Sequence, residues 1–250
     1  MYVHKKEREL VYEKCKNMCR GGGNFDDTYL ATKKSAFTLA EVLITLGIIG
    51  IVAAITIPIL IQNYKNNVVE TRLKKIYSIM NQAIIMSEDN NGNLEEWNFD
   101  NKDFLITYII PYLNKTDIKK IDATAKYSGV YLSDGSLIIT KNIEYGAGLG
   151  ANLEYFFYPD AKNFNFSEFN GRKYSGSKFF LFRLVYPNSE CNPLHKKGFE
   201  PYICGLNKSN DPNKDGIYAC NKENTYKFYC TYAIQRNGWK IPDNYPIMVK

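Results

Sequence analysis

Residues 36–61 read AFTLAEVLITLGIIGIVAAITIPILI, an apolar run in which Glu41 is the single charged residue. As an α-helix, residues 37–61 would extend about 37 Å, more than the roughly 30 Å hydrocarbon core of a bilayer. The apolar stretch of a secretory signal peptide is about 7–15 residues and is followed by a small-residue cleavage site. This run is longer, and a helical pattern continues beyond it. The expectation is a membrane-spanning helix over residues 37–61.

Downstream, Val69, Leu73, Ile76, Met80 and Ala83 recur at helical spacing between lysines, arginine, asparagines and glutamines. One apolar stripe on a polar helix needs a surface to cover it, so residues 62–90 are expected to continue the helix amphipathically. Asn90-Asn91-Gly92-Asn93 should end it. Residues 91–250 then read as an extracytoplasmic α+β domain. Within it, 127–133, Asp134-Gly135 and 136–140 form a hairpin pattern, and 153–158 and 178–186 are further strands. A short helix over 104–113 is interrupted by Pro111. After Tyr186 the chain looks loop-like. The outer half of the long helix should pack on the small antiparallel sheet.

Residues 1–36 are polar and contain Gly21-Gly22-Gly23, which predicts little fixed structure. Lys33 and Lys34 stand directly before the apolar run, so the positive-inside rule places the N-terminal side in the cytoplasm. Lys65, Arg72, Lys74 and Lys75 follow the run and blur that bias, while the short leader argues the same way. The net charge of +6 is scattered over 250 residues, with no long basic block, so nucleic acid is not an expected partner. With only two histidines, His4 and His195, a multi-histidine metal site is excluded.

The segment Lys33-Lys34-Ser35-Ala36-Phe37-Thr38-Leu39-Ala40-Glu41-Val42-Leu43 resembles the prepilin cleavage and methylation motif of type IV pilins and type II secretion pseudopilins. The resemblance implies that prepilin peptidase removes leader 1–36, cutting between Ala36 and Phe37, and that Phe37 is N-methylated. It further implies a bacterial cytoplasmic-membrane protein, single-pass, with its C-terminal domain outside the cytoplasm. Assembly would run through an inner-membrane platform, with copies of the chain or other pilins and pseudopilins, into a surface or periplasmic filament. Two features depart from the pattern: Ala36 stands where the family prefers glycine, and the leader is long unless Met18 is the start. Asn237-Gly238-Trp239-Lys240-Ile241 and Tyr245-Pro246 are similar, more loosely, to the ends of many pilin-like proteins. The rival reading is a monomeric membrane-anchored binding or adhesin module.

Glu41 is the costly residue of the run. A carboxylate in mid-membrane costs about 2.5–3.5 kcal/mol on insertion scales, so it needs a partner or a route to water. A cut before Phe37 would create an α-amine four residues away, on the same helical face. The pair would close within one chain or between neighbours, and the resemblance implies the inter-subunit version for assembly. The competing expectation is a carboxylate near the interface that snorkels to water. Gly50 and Pro58 should weaken the helix, as either a stretch that extends on assembly or the ordinary tolerance of membrane helices.

Cys15 and Cys19 lie in the leader, whereas Cys191, Cys204, Cys220 and Cys230 lie in the exported part, where disulfides persist if the compartment is oxidising. Short local loops favour Cys191–Cys204 and Cys220–Cys230, with zinc at Cys191, His195 and Cys204 as the rival. Asp211, Asn213 and Asp215 fit the first half of a calcium loop, although Lys222 occupies the twelfth position, where an EF-hand has glutamate. An Asx-rich turn is the alternative. No phosphate loop, nucleophile elbow or zinc-protease motif occurs, so no enzyme is expected and no cofactor beyond that calcium.

Overall fold

The computed structural model describes residues 37–123, 127–141, 153–165, 173–186, 197–206 and 209–250. It divides into two compact units, one ending at Ile51 and the other starting at Val52. A single helix, α1 (Leu39–Asn91), runs through that boundary. Its end is set locally. Gly92 takes φ +76°, open to glycine without strain, and the Asn90 and Asn91 amides donate to the carbonyls of Met86 and Ser87. The Trp97 indole N–H donates to the Gly92 carbonyl and fixes the exit.

The stripe expected from the sequence is the buried face of α1. Val69, Leu73, Ile76, Met80 and Ala83 are all buried, joined by Ile84, Glu70 and Ser87. Each large apolar side chain so placed contributes about 1.5–3 kcal/mol of transfer free energy. Its cover is an antiparallel sheet of six strands, β1 (Ile118–Ala123), β2 (Tyr127–Leu132), β3 (Leu137–Lys141), β4 (Glu154–Tyr158), β5 (Phe180–Val185) and β6 (Gly198–Pro201), paired in chain order. Val130, Ile138, Phe157 and Phe180 stand opposite one another across β2–β5 and belong to the same cluster as the helix stripe.

The opposite face is buried too. Ile139, Phe156 and Leu181 form a second cross-strand row, covered by Tyr202, Ile203, Leu206, Phe228 and Tyr229. A strand buried on both faces has no reason to alternate, which accounts for the unbroken apolar reading of Leu137-Ile138-Ile139, Tyr155-Phe156-Phe157-Tyr158 and Phe180-Leu181-Phe182. Gly129 of β2 faces this second row for a steric reason. A Cβ there would lie 2.5 Å from Ile139 Cγ2, so only glycine lets the two strands pair.

The Asp134-Gly135 hairpin forms as expected, with Gly135 at φ +86°. The region after Tyr186 is more ordered than a loop, because it supplies β6 and a second helix, α2 (Cys230–Arg236). Both are held by tertiary contacts and not by propensity. β6 is four residues long, begins with glycine and ends with proline; α2 has seven residues, four of them buried. The helix expected over 104–113 is a π-helical turn (Leu105–Ile109) followed by a 3₁₀ turn (Ile110–Tyr112). Pro111 has no N–H to continue an α ladder and its ring crowds the turn before it.

Candidate functional site

The site expected from the sequence begins at the start of α1. Ala36 lies outside the described residues; Phe37 is 86% exposed. Thr38 precedes the first helical residue and Glu41 is the third, and the two close a reciprocal capping box. The Thr38 N–H donates to Glu41 Oε2 at 2.8 Å, as does the Thr38 hydroxyl, while the Glu41 N–H donates back to Thr38 Oγ1 at 3.2 Å. Both carboxylate bonds therefore fall on Oε2. Among the described residues, Oε1 accepts none.

From there to Ile61 no residue of the helix is buried among the described residues. Leu39, Leu43, Ile48 and Ile51 are exposed in the first unit, and Ile55, Ile59 and Leu60 in the second. An 18-residue window of this helix is apolar enough to cross a membrane and has none of its residues buried. The hydroxyls of Thr45 and Thr56 donate to the Val42 and Val52 carbonyls, which satisfies them without water. A Cβ on Gly50 would meet no atom within 4 Å, so nothing among the described residues requires glycine there. Pro58 sits inside the helix without ending it.

Beyond the apolar run, several polar side chains of α1 tie it to the domain. Arg72 donates to the carbonyls of Pro159 and Asp134. Glu70, buried, accepts from Lys240 Nζ at 2.7 Å and from the Ile241 N–H at 2.9 Å. The Asn81 amide donates to the Phe199 carbonyl and accepts from the Phe199 N–H, both at 2.9 Å, thereby pairing with edge strand β6 as another strand would. The Tyr77 hydroxyl donates to Glu200 at 2.9 Å, and burial together with the Glu200 charge pushes its pKa up to about 12. Trp239, at φ +64°, packs on the Tyr77 ring with centroids 5.0 Å apart. The motif Asn237-Gly238-Trp239-Lys240-Ile241 is thus the latch that fastens the end of α2 to α1.

Lys75 bridges Asp117 at 2.9 Å and Asp134 at 3.4 Å. Burial pulls the Lys75 pKa down, but the bond to Asp117 and the charge of Asp134 outweigh it, and the net shift is upward. For Asp134, burial raises the pKa, while the bonds from Ser136 and the Lys75 and Arg72 charges lower it further; the net is downward. The depressed carboxyl contributes stability above its unfolded value of 3.8 and loses it as pH falls through the folded value below that. The raised amine contributes below 10.5 and loses it as pH rises through its higher folded value. Lys75→Met is therefore expected to cost about 0.5–1 kcal/mol near neutral pH and less at about pH 2. Thermal melts at the two pH values check it; an equal cost at both would remove the ion pair as the cause.

Cys220 and Cys230 are joined, with Cα atoms 4.7 Å apart. In the chain-entropy account a loop this short contributes about 3 kcal/mol. Cys191 and His195 lie outside the described residues. Cys204 is disulfide-bonded, so it supplies no thiolate for zinc. In the candidate calcium loop, Asp211 Oδ1 accepts the Asn213 N–H at 2.9 Å and Asp215 Oδ2 accepts the Asp211 N–H at 2.7 Å. The first is an Asx turn, and both bonds close on the loop's own main chain. Among the described residues no three His, Cys, Asp or Glu side chains are grouped to hold a metal ion.

Residues 31–57 match the model of the prokaryotic N-terminal methylation motif. That match and the long apolar helix fit a membrane-anchored, type IV pilin-like or pseudopilin subunit. No curated protein and no solved structure matches the chain. A second model, described as a family of unknown function (DUF6613), matches residues 59–249. That is well over half of the chain, and it takes in the amphipathic part of α1, all six strands and α2: the chain belongs to this family of unknown function, joined to a pilin-type N-terminus.

Proposed function

We propose that prepilin peptidase cuts this chain between Ala36 and Phe37, that Phe37 is N-methylated, and that the mature subunit assembles through α1 into a type IV pilus or type II secretion pseudopilus. Before assembly the subunit spans the cytoplasmic membrane once, with leader 1–36 inside and residues 62–250 outside. The observation that carries this reading is the Glu41 carboxylate, whose Oε1 accepts no bond among the described residues, at the head of an apolar helix that has none of them buried as far as Ile61. Oε2 caps the helix, and Oε1 is left to accept from an α-amine. In a filament the exposed isoleucines and leucines exchange lipid contacts for helix–helix packing, and Gly50 admits a neighbouring backbone closely. The role is structural, with no enzymatic step and no cofactor. The partners are the peptidase, an assembly platform and other subunits of the same kind.

Mass spectrometry of the protein extracted from its own membranes tests the processing directly. The expected N-terminal peptide begins at Phe37 and carries one extra methyl. A peptide that still contains residues from 1–36 would leave α1 as a plain anchor and favour the monomeric binding module instead.

A further inference from the structure

Just past the end of the apolar run, the C-terminal segment of the second unit meets α1. The Gln62 amide donates to the Val249 carbonyl at 3.4 Å, one residue past Ile61. The headgroup layer on each side of a bilayer is about 5–7 Å thick, or three to five residues of helix. A span of 37–61 overruns the hydrocarbon core, so Gln62 falls inside that layer, and so does whatever contacts it.

What contacts it is rigid and suited to the layer. Val249 is buried in the main core, the Ser177 hydroxyl donates to the Met248 carbonyl at 2.6 Å, and the Lys250 N–H donates to the Ser177 carbonyl at 3.1 Å. Held on both sides, Met248 presents an apolar side chain that is 70% exposed. Beside it lies an open groove of about 380 Å³ lined by Gln62, Asn63, Asn66, Lys222 and Asp243 among others. With Gln62 already bonded to Asn66 and Val249, the Asn63 and Asn66 amides and the Lys222 ammonium are the donors suited to a phosphodiester, and Asp243 keeps the groove close to neutral. Tyr64, 69% exposed, and Lys65 occupy the same turn of α1, the residue types that settle at membrane interfaces.

We propose that segment 241–250 and this groove form a foot that rests among the phospholipid headgroups, so that the unassembled subunit is held by its domain as well as by its span. The inference rests on the membrane-anchored reading. Its continuity with the apolar run identifies the occupant: the groove opens at the level of the lipid that residues 52–61 already face. Leaving the membrane would then require the foot to release, a cost separate from extracting the helix.

The test uses the full chain in phosphatidylcholine vesicles whose acyl chains are brominated at the headgroup end. Met248→Trp adds an indole at the foot. Ile85→Trp adds one at an exposed position about 35 Å beyond Gln62 along α1. Relative to the unsubstituted chain, the emission added at 248 is expected to fall by roughly half, because interfacial side chains lie about 5–10 Å into the boundary, while that added at 85 persists. A chain that floats with the vesicles but is unquenched at 248 would overturn the foot and leave the span standing. One that fails to float would overturn both. Protection at 248 that disappears when the protein is diluted in lipid would assign the surface to a second copy and overturn the lipid assignment.

Discussion

A Glu41→Gln chain is expected to fold, enter the membrane and be processed, yet to join filaments at least about tenfold less than the native chain. The two jobs of this carboxylate can be separated because they use different properties. Glutamine retains the carbonyl oxygen that accepts the Thr38 N–H, and a capping box works with either residue. It loses the charge, and with it the proposed ion pair to an α-amine in a medium with no water to replace it. Removing one partner of a desolvated, hydrogen-bonded charge pair costs about 2–5 kcal/mol. Thr38→Val is the complement. It gives up the cap, worth about 0.5–2 kcal/mol, and keeps the charge, so incorporation should persist. The measurement is the ratio of subunit in sheared filaments to subunit in membranes for each variant. Native incorporation of Glu41→Gln would mean that Glu41 serves the helix start alone, and the proposed pairing would fall.

The same residues show what the sequence could reveal. The spacing Thr38-x-x-Glu41 directly before an apolar run is a written capping-box signal, a local role separate from the cost of a charge in lipid. The stripe from Val69 to Ala83 was legible because helical periodicity is local and a one-sided helix must be covered. The Asp134-Gly135 hairpin was legible because only a few residue pairs accept a tight turn. Strand β1 was not, since Lys119 and Lys120 are what an edge strand carries to deter pairing with other chains. Nor were the latches. Glu70 meets Lys240 and Ile241 some 170 positions later, and no local pattern encodes such a meeting. The loose resemblance at 237–241 pointed to the right segment without saying what it grips.

Asn81→Leu is expected to destabilise the domain by about 3 kcal/mol, because it removes both hydrogen bonds that the Asn81 amide makes to the main chain of β6. The shape is nearly kept, so the loss is one of hydrogen bonding and not of packing. Two main-chain groups of Phe199 lose their partners while Phe199 itself stays buried against Phe182, with ring centroids 4.6 Å apart. A buried unpaired group costs about 1–3 kcal/mol, and two are created at once. For a domain of this size the cost corresponds to a fall of roughly 6–12 °C in the melting temperature. Asn81→Asp separates the two halves of the latch, since a carboxylate still accepts the Phe199 N–H at 2.9 Å but gives nothing back to the carbonyl. Its melting temperature should fall between those of the leucine variant and the native chain. Melts of the full chain in detergent, followed through the tertiary signal of the stacked Trp97 and Tyr108 rings, measure all three. A leucine variant that melts with the native chain would mean that water takes over both groups, so that the helix covers the edge of the sheet without closing it.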